Sequence, residues 1–401
     1  MFAKKFLNRL LLILVGLRFR SGVRFAVRLR ESPFRFLPMV ILPLAGVVFL
    51  LIAGCMDVTS PKVLPPEPPF VTDTVIRGAD LSMLPTIEEY GTVFYNFDSI
   101  PERMTQTLRK AGVNTVRLRL WKDPIDGENG FERVKQFSER LKREGFRVMI
   151  SVHYSDTWAD PGAQKTPAIW QNLGFRELRD SMAQYTKKIV TAMKPEFIQI
   201  GNEINNGFLY PTGGRYATPN RFMELLSVAA AAVRESSTHT KIIIHFAGLE
   251  GAEQFFTELK GLDYDIIGLS YYPMWHGKDI NGIHFTINQL YLKFLKPVAI
   301  VETSYPFTLA WHDWTNNILG GEEQLVEGYP ATPEGQYNFL RKIFDEVQPK
   351  QGGAGVCYWG GEWVAYKDTT SKTGSPCENQ AFYDFNFKAL PVIKAFERRG
   401  K

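Results

Sequence analysis

The sequence predicts a single α/β domain, a (β/α)8 TIM barrel over residues 73–401, on three observations. Eight short Val/Ile-rich runs recur along the chain, amphipathic helical stretches separate them, and the runs stop abruptly at polar or aromatic residues. Strands alternating with helices argue for a parallel sheet, and eight units over roughly 325 residues suit a closed barrel with long loops. A doubly wound open sheet is the structural alternative. It would place a glycine-rich phosphate loop after its first strand, and "RGADLSML" has no such pattern.

The first four strands are "TVIRGAD" (74–80), "TVRLRLW" (115–121), "RVMISVHY" (147–154) and "FIQIGNE" (197–203). The second four are "KIIIHFAG" (241–248), "DIIGLSYY" (265–272), "PVAIVET" (297–303) and "GAGVCYW" (353–359). Helical spacing of apolar residues marks "IPERMTQTLRKAG", "FERVKQFSERLKREG", "FRELRDSMAQYTKKIVTAM" and "PNRFMELLSVAAAAVRES" between them. The first two of these end at a Gly suited to a helix C-terminus.

Ahead of the barrel, residues 1–54 read as a targeting segment. An Arg-rich stretch leads into "PMVILPLAGVVFLLIAG" (38–54), which has the charged, hydrophobic and small-residue parts of an export signal. Ile52-Ala53-Gly54-Cys55 resembles the bacterial lipobox, which makes Cys55 the expected site of lipidation and the first mature residue. Residues 55–72 then form a Pro-rich tether. A plain transmembrane anchor is the alternative, since 17 apolar residues just reach across a bilayer. The formal charge of +5 is concentrated here: residues 1–54 hold nine Lys/Arg and one Glu, leaving 38 basic against 41 acidic residues beyond. A near-neutral body with dispersed aromatics offers no basic stripe for phosphates, so nucleic acid is not an expected partner. Cys357 and Cys377 remain, and their spacing leaves a disulfide and two free thiols equally open.

A barrel of this kind builds its active site at the C-terminal ends of its strands. Strand four ends in Asn202-Glu203 and strand seven in Glu302, so two carboxyl groups from distant strands converge over one face. Paired carboxyl groups suffice to cleave a glycosidic bond: one protonates the departing oxygen and the other attacks the anomeric carbon or activates water. A single strand-end Glu is more simply a cap or an ion-pair partner, but two at corresponding ends with aromatics around both favour catalysis. Arg117 and Arg119 share the inward face of strand two by period-two spacing. Either suits buried pairing, and Arg119, nearer the strand end, is the one expected to hold a nucleophilic Glu ionised, with Tyr271 helping.

His153 opens "HYSDTWADPGAQKTPAIW", a loop too long for a simple connection and too rich in large residues for disorder. Asp156, Trp158 and Asp160 within it would offer acceptors and a stacking face to a sugar chain. Tyr271, Tyr272, Trp275, His276, Tyr305, Phe307 and Trp359 gather at the same end of the barrel, a concentration that core packing does not predict. No HExxH, paired CxxC, GxSxG or Walker loop occurs, and the six His are scattered. No cofactor is therefore expected. "AWHDWTNN" (310–317) offers a calcium ion one Asp with Asn neighbours, and a solvated loop is the simpler reading.

Seven segments from residue 77 to residue 337 together resemble the arabinogalactan endo-β-1,4-galactanases of glycoside hydrolase family 53. They are "RGAD", "GVNTVRLRLWKDP", "HYSDTWADPG", "IQIGNEINNGFLYP", "DIIGLSYYPMWHG", "VAIVETSYPFTL" and "GYPATPEGQ". The resemblance implies a barrel that hydrolyses internal β-1,4-galactosyl linkages of pectic galactan and type I arabinogalactan with retention. It implies Glu203 as general acid/base, Glu302 as nucleophile and Asn202 as a contact of the sugar 2-hydroxyl, with the carboxyl groups about 5–5.5 Å apart. Arg119, His153, Asp156, Trp158, Asp160, Tyr271, Tyr272 and Trp359 are the expected substrate-binding set, and the expected state is a monomer. Bacterial members carry a structural calcium near strand seven, but here "AWHDWTNN" replaces the Asp-rich, Gly-containing loop that would hold it. After Trp359 the expected Glu-Pro pair is replaced by Gly360-Gly361-Glu362-Trp363. A related barrel glycosidase acting on β-1,4-glucan or mannan would share the two glutamates without "HYSDTWADPG", and a surface lipoprotein that binds glycan without cutting it is the non-enzymatic rival.

Overall fold

Parity along each strand decides what faces where. In a computed structural model, which describes residues 75–398, strand β2 (Thr115–Leu120) turns Val116, Leu118 and Leu120 toward the surrounding helices. Its alternate residues Thr115, Arg117 and Arg119 point into the barrel. The same alternation governs β1 (Ile76–Asp80), β3 (Arg147–Val152), β4 (Phe197–Ile200), β5 (Lys241–Ala247) and β6 (Ile266–Ser270), and it holds with one break each in β7 (Val298–Glu302) and β8 (Gly353–Tyr358). All eight pair in parallel in chain order, and β1 pairs with β8 to close the barrel. The expected strands are all present. β1 ends at Asp80 as its run does, and the other seven end one to three residues earlier than theirs, because the last residues leave the sheet to build the mouth.

Helices α1 (Met104–Lys110), α2 (Phe131–Arg143), α3 (Phe175–Met193), α4 (Pro219–Ser236), α5 (Ala252–Glu258), α6 (Asn281–Phe294) and α7 (Pro333–Glu346) fill the seven crossovers. α2 shows why they pack: Val134, Phe137 and Leu141 are buried at helical spacing while its charged residues face out. Each such side chain contributes roughly 1.5–3 kcal/mol on burial. After β8 a 3-10 segment, Pro391–Phe396, takes the place of an eighth helix, and Phe396 meets Phe344 of α7 edge to face at 5.5 Å.

Inside the barrel, Ile76, Met149, Phe197, Ile243, Ile266, Ala299 and Val301 form a separate apolar plug. Above it the inward positions turn polar: Asp80, Arg117, Ser151, Gln199, His245 and Ser270 are all buried. That polar layer is the floor of the site. Strand β7 reaches it by an irregularity. Leu269 pairs with Ile300, but the next residue, Ser270, pairs with Glu302, so one extra residue is inserted on β7. Val301 already points into the plug, and without the bulge Glu302 would face the helices. The bulge brings it into register with inward-facing Ser270.

The proposed targeting segment, tether and lipidated Cys55 lie outside the described residues. Among the described residues no helix is long and apolar enough to cross a membrane. Cys357 and Cys377 are both free thiols, each buried.

Candidate active site

Glu203 sits on a bend rather than at a helix start. Gly201 has φ +79°, where an added Cβ would stand 2.5 Å from Ile204, and Glu203 itself has φ +47°. A left-handed non-Gly residue costs roughly 1–3 kcal/mol and persists where surrounding contacts impose it. Here they do: the Glu203 N–H points at His245 Nδ1 (3.3 Å), and its carbonyl accepts from Gln164 (3.3 Å). The bend aims a partly exposed carboxyl group at buried Glu302, which is 6 % exposed. Oxygens of the two groups lie within 4.8 Å of each other.

Their surroundings are unequal. Glu302 accepts from Arg117 at 2.6 Å through one oxygen and from the Tyr272 hydroxyl at 2.9 Å through the other. Burial pushes its carboxyl upward, the Arg117 charge and the Tyr272 bond offset part of that, and with the charge of Asp80 the net shift stays upward. Among the described residues Glu203 has one partner on its carboxyl group, the Ser270 hydroxyl at 2.6 Å. Burial first, and then the neighbouring charge of Glu302, raise it to about 8. When the pair holds a single proton, it therefore rests on Glu203 and leaves Glu302 ionised.

Arg117 organises this floor. Its guanidinium donates to Asp80 (2.7 Å), Ser151 (3.0 Å), Asn202 (2.8 Å) and Glu302 (2.6 Å). Burial by itself would make the cation easier to discharge, but the charges of Glu302 and Asp80 outweigh that and hold it protonated. The arginine that meets Glu302 is thus Arg117, not Arg119. An Arg side chain spans several ångströms toward the mouth, so the one rooted two residues deeper reaches strand-end carboxylates. Arg119 overshoots into the loop layer, where its guanidinium lies 3.8 Å from the centre of the Trp158 ring and its three nitrogens find no hydrogen-bond partner among the described residues. Burial lowers it to about 10. Parity likewise separates the tyrosines. Tyr272 turns inward to Glu302, whereas Tyr271, expected to help hold that residue, donates to the carbonyl of Gly277 at 2.9 Å.

The other expected residues divide into cleft and scaffold. Trp158 is 39 % exposed and lies edge-on to Trp359 at 6.2 Å, with Trp363 at 6.5 Å, forming an indole wall on the β2, β3 and β8 side. Asn202 holds Arg117 through its oxygen and donates one N–H to Ala159 at 2.8 Å. His153 is buried, accepts from the Ala159 N–H at 3.1 Å, and stays neutral through burial and the charges of Arg119 and Arg117. Both oxygens of Asp156 are taken by backbone N–H groups, of Asp123 (3.0 Å) and Ala168 (2.7 Å), so it ties two loops together. Asp160 closes a turn onto Gly162 at 2.7 Å, near enough to Glu203 for its charge to raise that carboxyl. The strand-end rule reaches Asp80, which closes β1, but not Gln199, His245 or Ser270. Their signal is a polar residue at inward parity inside an otherwise apolar strand, as in "FIQI" and "KIIIHFA".

Among the described residues, Glu203, His245 and Glu302 are the one group with donor atoms close enough to share a metal ion. Arg117 already sits 2.6 Å from Glu302, and His245 is bonded through Nδ1 to Gln199 (2.9 Å) and through Nε2 to Ser270 (2.8 Å). This set is arranged to hold protons. The calcium considered for "AWHDWTNN" does not fit its donors: both oxygens of Asp313 face backbone N–H groups, of Thr315 (2.6 Å) and Ser375 (3.3 Å).

Two carboxyl groups, one disposed to hold a proton and one braced as an anion over the mouth of a parallel barrel beside an indole wall, are the equipment of a glycoside hydrolase. Comparison with known proteins narrows the class. Residues 76–396 match the model of glycosyl hydrolase family 53, and the chain belongs to that family. An arabinogalactan endo-β-1,4-galactanase of Cellvibrio japonicus is 33% identical over 340 residues, covering 80% of this chain and 90% of that protein. An endo-β-1,4-galactanase of Bacillus subtilis is 29% identical over 372 residues, with coverage of 80% and 85%. Among solved structures, a family 53 catalytic domain from Ignisphaera aggregans superposes with a TM-score of 0.76 at 35% identity, covering 84% of this chain and 99% of that one.

Proposed function

We propose that this protein is a retaining endo-β-1,4-galactanase that cuts internal linkages of pectic galactan and type I arabinogalactan. The observation that carries the reading is the unequal pair: oxygens of Glu203 and Glu302 within 4.8 Å, one carboxyl raised to about 8 and the other held by Arg117 and Tyr272. That spacing suits direct attack, since an inverting pair stands roughly 6.5–9.5 Å apart to admit water. The names of the relatives from Cellvibrio japonicus and Bacillus subtilis support galactan as the polymer.

In this reading the chain lies along the mouth with sugar rings on Trp158 and Trp359. Glu203 donates its proton to the departing glycosidic oxygen as Glu302 attacks the anomeric carbon. The carbon–oxygen bond breaks and a glycosyl ester forms on Glu302. Esterification removes the negative charge of Glu302, one of the causes that raise Glu203, so the acid becomes a usable base. Glu203 then takes a proton from water, which displaces the sugar and regenerates both groups. The protein works as a monomer exported and held at the cell envelope by a lipid on Cys55.

The test is to incubate the protein with linear galactan, glucan and mannan and follow product size and anomeric configuration. Early release of mid-length galactan fragments, first as the β-anomer, is expected. Glu203→Ala and Glu302→Ala should each lose galactan cleavage by about 10³-fold or more. Near-normal rates in either variant, or preference for glucan or mannan, would refute the assignment.

A further inference from the structure

The ring of His245 is buried inside the barrel, within reach of donors and acceptors from β4 and β6. Its Nδ1 faces two N–H groups, from Gln199 Nε2 (2.9 Å) and the backbone of Glu203 (3.3 Å), with Asn202 Oδ1 at 3.2 Å. That Asn202 oxygen already accepts from Arg117 at 2.8 Å. Burial, then the charge of Arg117, keep the imidazole neutral, with His276 also facing it. A neutral ring with donors aimed at Nδ1 carries its hydrogen on Nε2. Nε2 lies 2.8 Å from Ser270 Oγ, and Ser270 Oγ lies 2.6 Å from Glu203 Oε1. Since Ser270 accepts from His245, its one hydroxyl hydrogen is left for Glu203.

We propose that His245 and Ser270 are positioning residues that commit Oε1 of Glu203 as an acceptor and so confine the transferable proton to Oε2, the oxygen left for the substrate. The inference rests on the galactanase reading and deepens it. A carboxylic acid free to carry its hydrogen on either oxygen spends part of its time with the proton aimed at protein. The chain Gln199, His245, Ser270 removes that freedom by fixing a single direction of donation from β4 across β5 to β6. Protons are conserved throughout: the relay transfers none, and the hydrogen given to the leaving oxygen is the one on Oε2. The charged and titratable groups facing Glu203 are Glu302 from β7, Asp160 from the loop after β3, Arg117 from β2, and Tyr272 after β6. Among the described residues Ser270 alone of the hydroxyls bonds its carboxyl group directly.

The experiment compares Ser270→Ala, Ser270→Thr and His245→Phe with the unaltered protein on two substrates. Linear galactan has a poor leaving group that needs the proton, whereas a dinitrophenyl β-galactobioside leaves without one. Ser270→Ala should lower kcat/KM on galactan by ~10- to 100-fold, the worth of one hydrogen bond to a charged group. The same variant should leave kcat/KM on the activated aryl glycoside nearly unchanged, which also reports that it folds. Because the Ser270 hydroxyl stabilises the carboxylate form, its loss should move the alkaline limb of the galactan profile upward. Ser270→Thr should restore both, and His245→Phe should show the same selective loss. Equal losses on both substrates with an unmoved alkaline limb would overturn the inference. An unaltered protein inactive on galactan and on the aryl glycoside would instead overturn the galactanase reading beneath it.

Discussion

Replacing Arg117 by Met tests the floor of the site most directly. The guanidinium, 1 % exposed, spans Asp80 at 2.7 Å and Glu302 at 2.6 Å and also donates to Ser151 and Asn202. Met fills similar volume but leaves two buried carboxyl groups without their cation. Breaking a buried ion pair by removing one partner costs about 3–5 kcal/mol, and with two dependants the upper end applies. At about 2 °C per kcal/mol for a domain of this size, the melting temperature should fall by roughly 10 °C at pH 8. The deficit should depend on pH in a defined direction. In the variant a buried carboxyl, Glu302 foremost, titrates above its unfolded value near ~4.3. At intermediate pH the folded state then binds a proton that the unfolded state does not, so its relative stability falls as pH rises and recovers on acidification. Thermal unfolding of variant and unaltered protein at pH 8 and pH 4.5 measures this, and the gap should narrow at the lower pH. Galactan cleavage should drop by ~10²-fold or more, because a protonated Glu302 is no nucleophile. Arg117→Lys keeps the charge without the fork and should fall between the two. A deficit equal at both pH values, or a variant as stable as its parent, would refute the argument.

Three further outcomes follow from the geometry. Cleavage of galactan should decline above about pH 8, where Glu203 loses its proton, and Glu203→Ala assayed on an activated aryl galactoside should lose that limb; a decline set at ordinary carboxyl values would contradict the assignment. Trp158→Ala removes both a platform and the ring covering Arg119, and steady-state kinetics on galactan should show KM raised by about tenfold with a smaller change in kcat. Thiol titration should find Cys357 and Cys377 unreactive in the folded protein and both reactive after denaturation without reductant, and reductant should leave the melting temperature unchanged.

The barrel was legible because its strands are apolar on both faces and its helices on one, a contrast that survives in a single sequence. Glu203 and Glu302 were legible for a simpler reason: each closes an apolar run that has no other use for a carboxyl group. The partners of Glu302 were less so. Choosing Arg119 over Arg117 assumed that nearness along the strand sets reach, whereas side-chain length carries the deeper arginine to the nucleophile. Tyr271 over Tyr272 failed on parity, which the sequence contains but the strand-end rule ignores. Ser270 and His245 look like ordinary strand residues until inward parity is imposed from β4 to β6. Asp156 shows the converse: an acidic residue in a loop rich in aromatics reads as a ligand contact, yet backbone N–H groups from two segments occupy both of its oxygens.

The extra residue on β7 gives Glu302 an unusual dependence on strand register. Val301 and Glu302 both serve the barrel interior, one in the apolar plug and one in the polar floor, only because the register slips by one between them. Deleting Val301 would remove the bulge, leave Glu302 opposite Ser270 by simple alternation and cost the plug one side chain, whereas pairing Val301 with Ser270 in the unchanged sequence would turn Glu302 outward, toward the helices. The direction of this carboxyl group thus depends on where the strand slips, and a homologue one residue shorter at this point would keep its glutamate inward while leaving the plug to be filled from another strand.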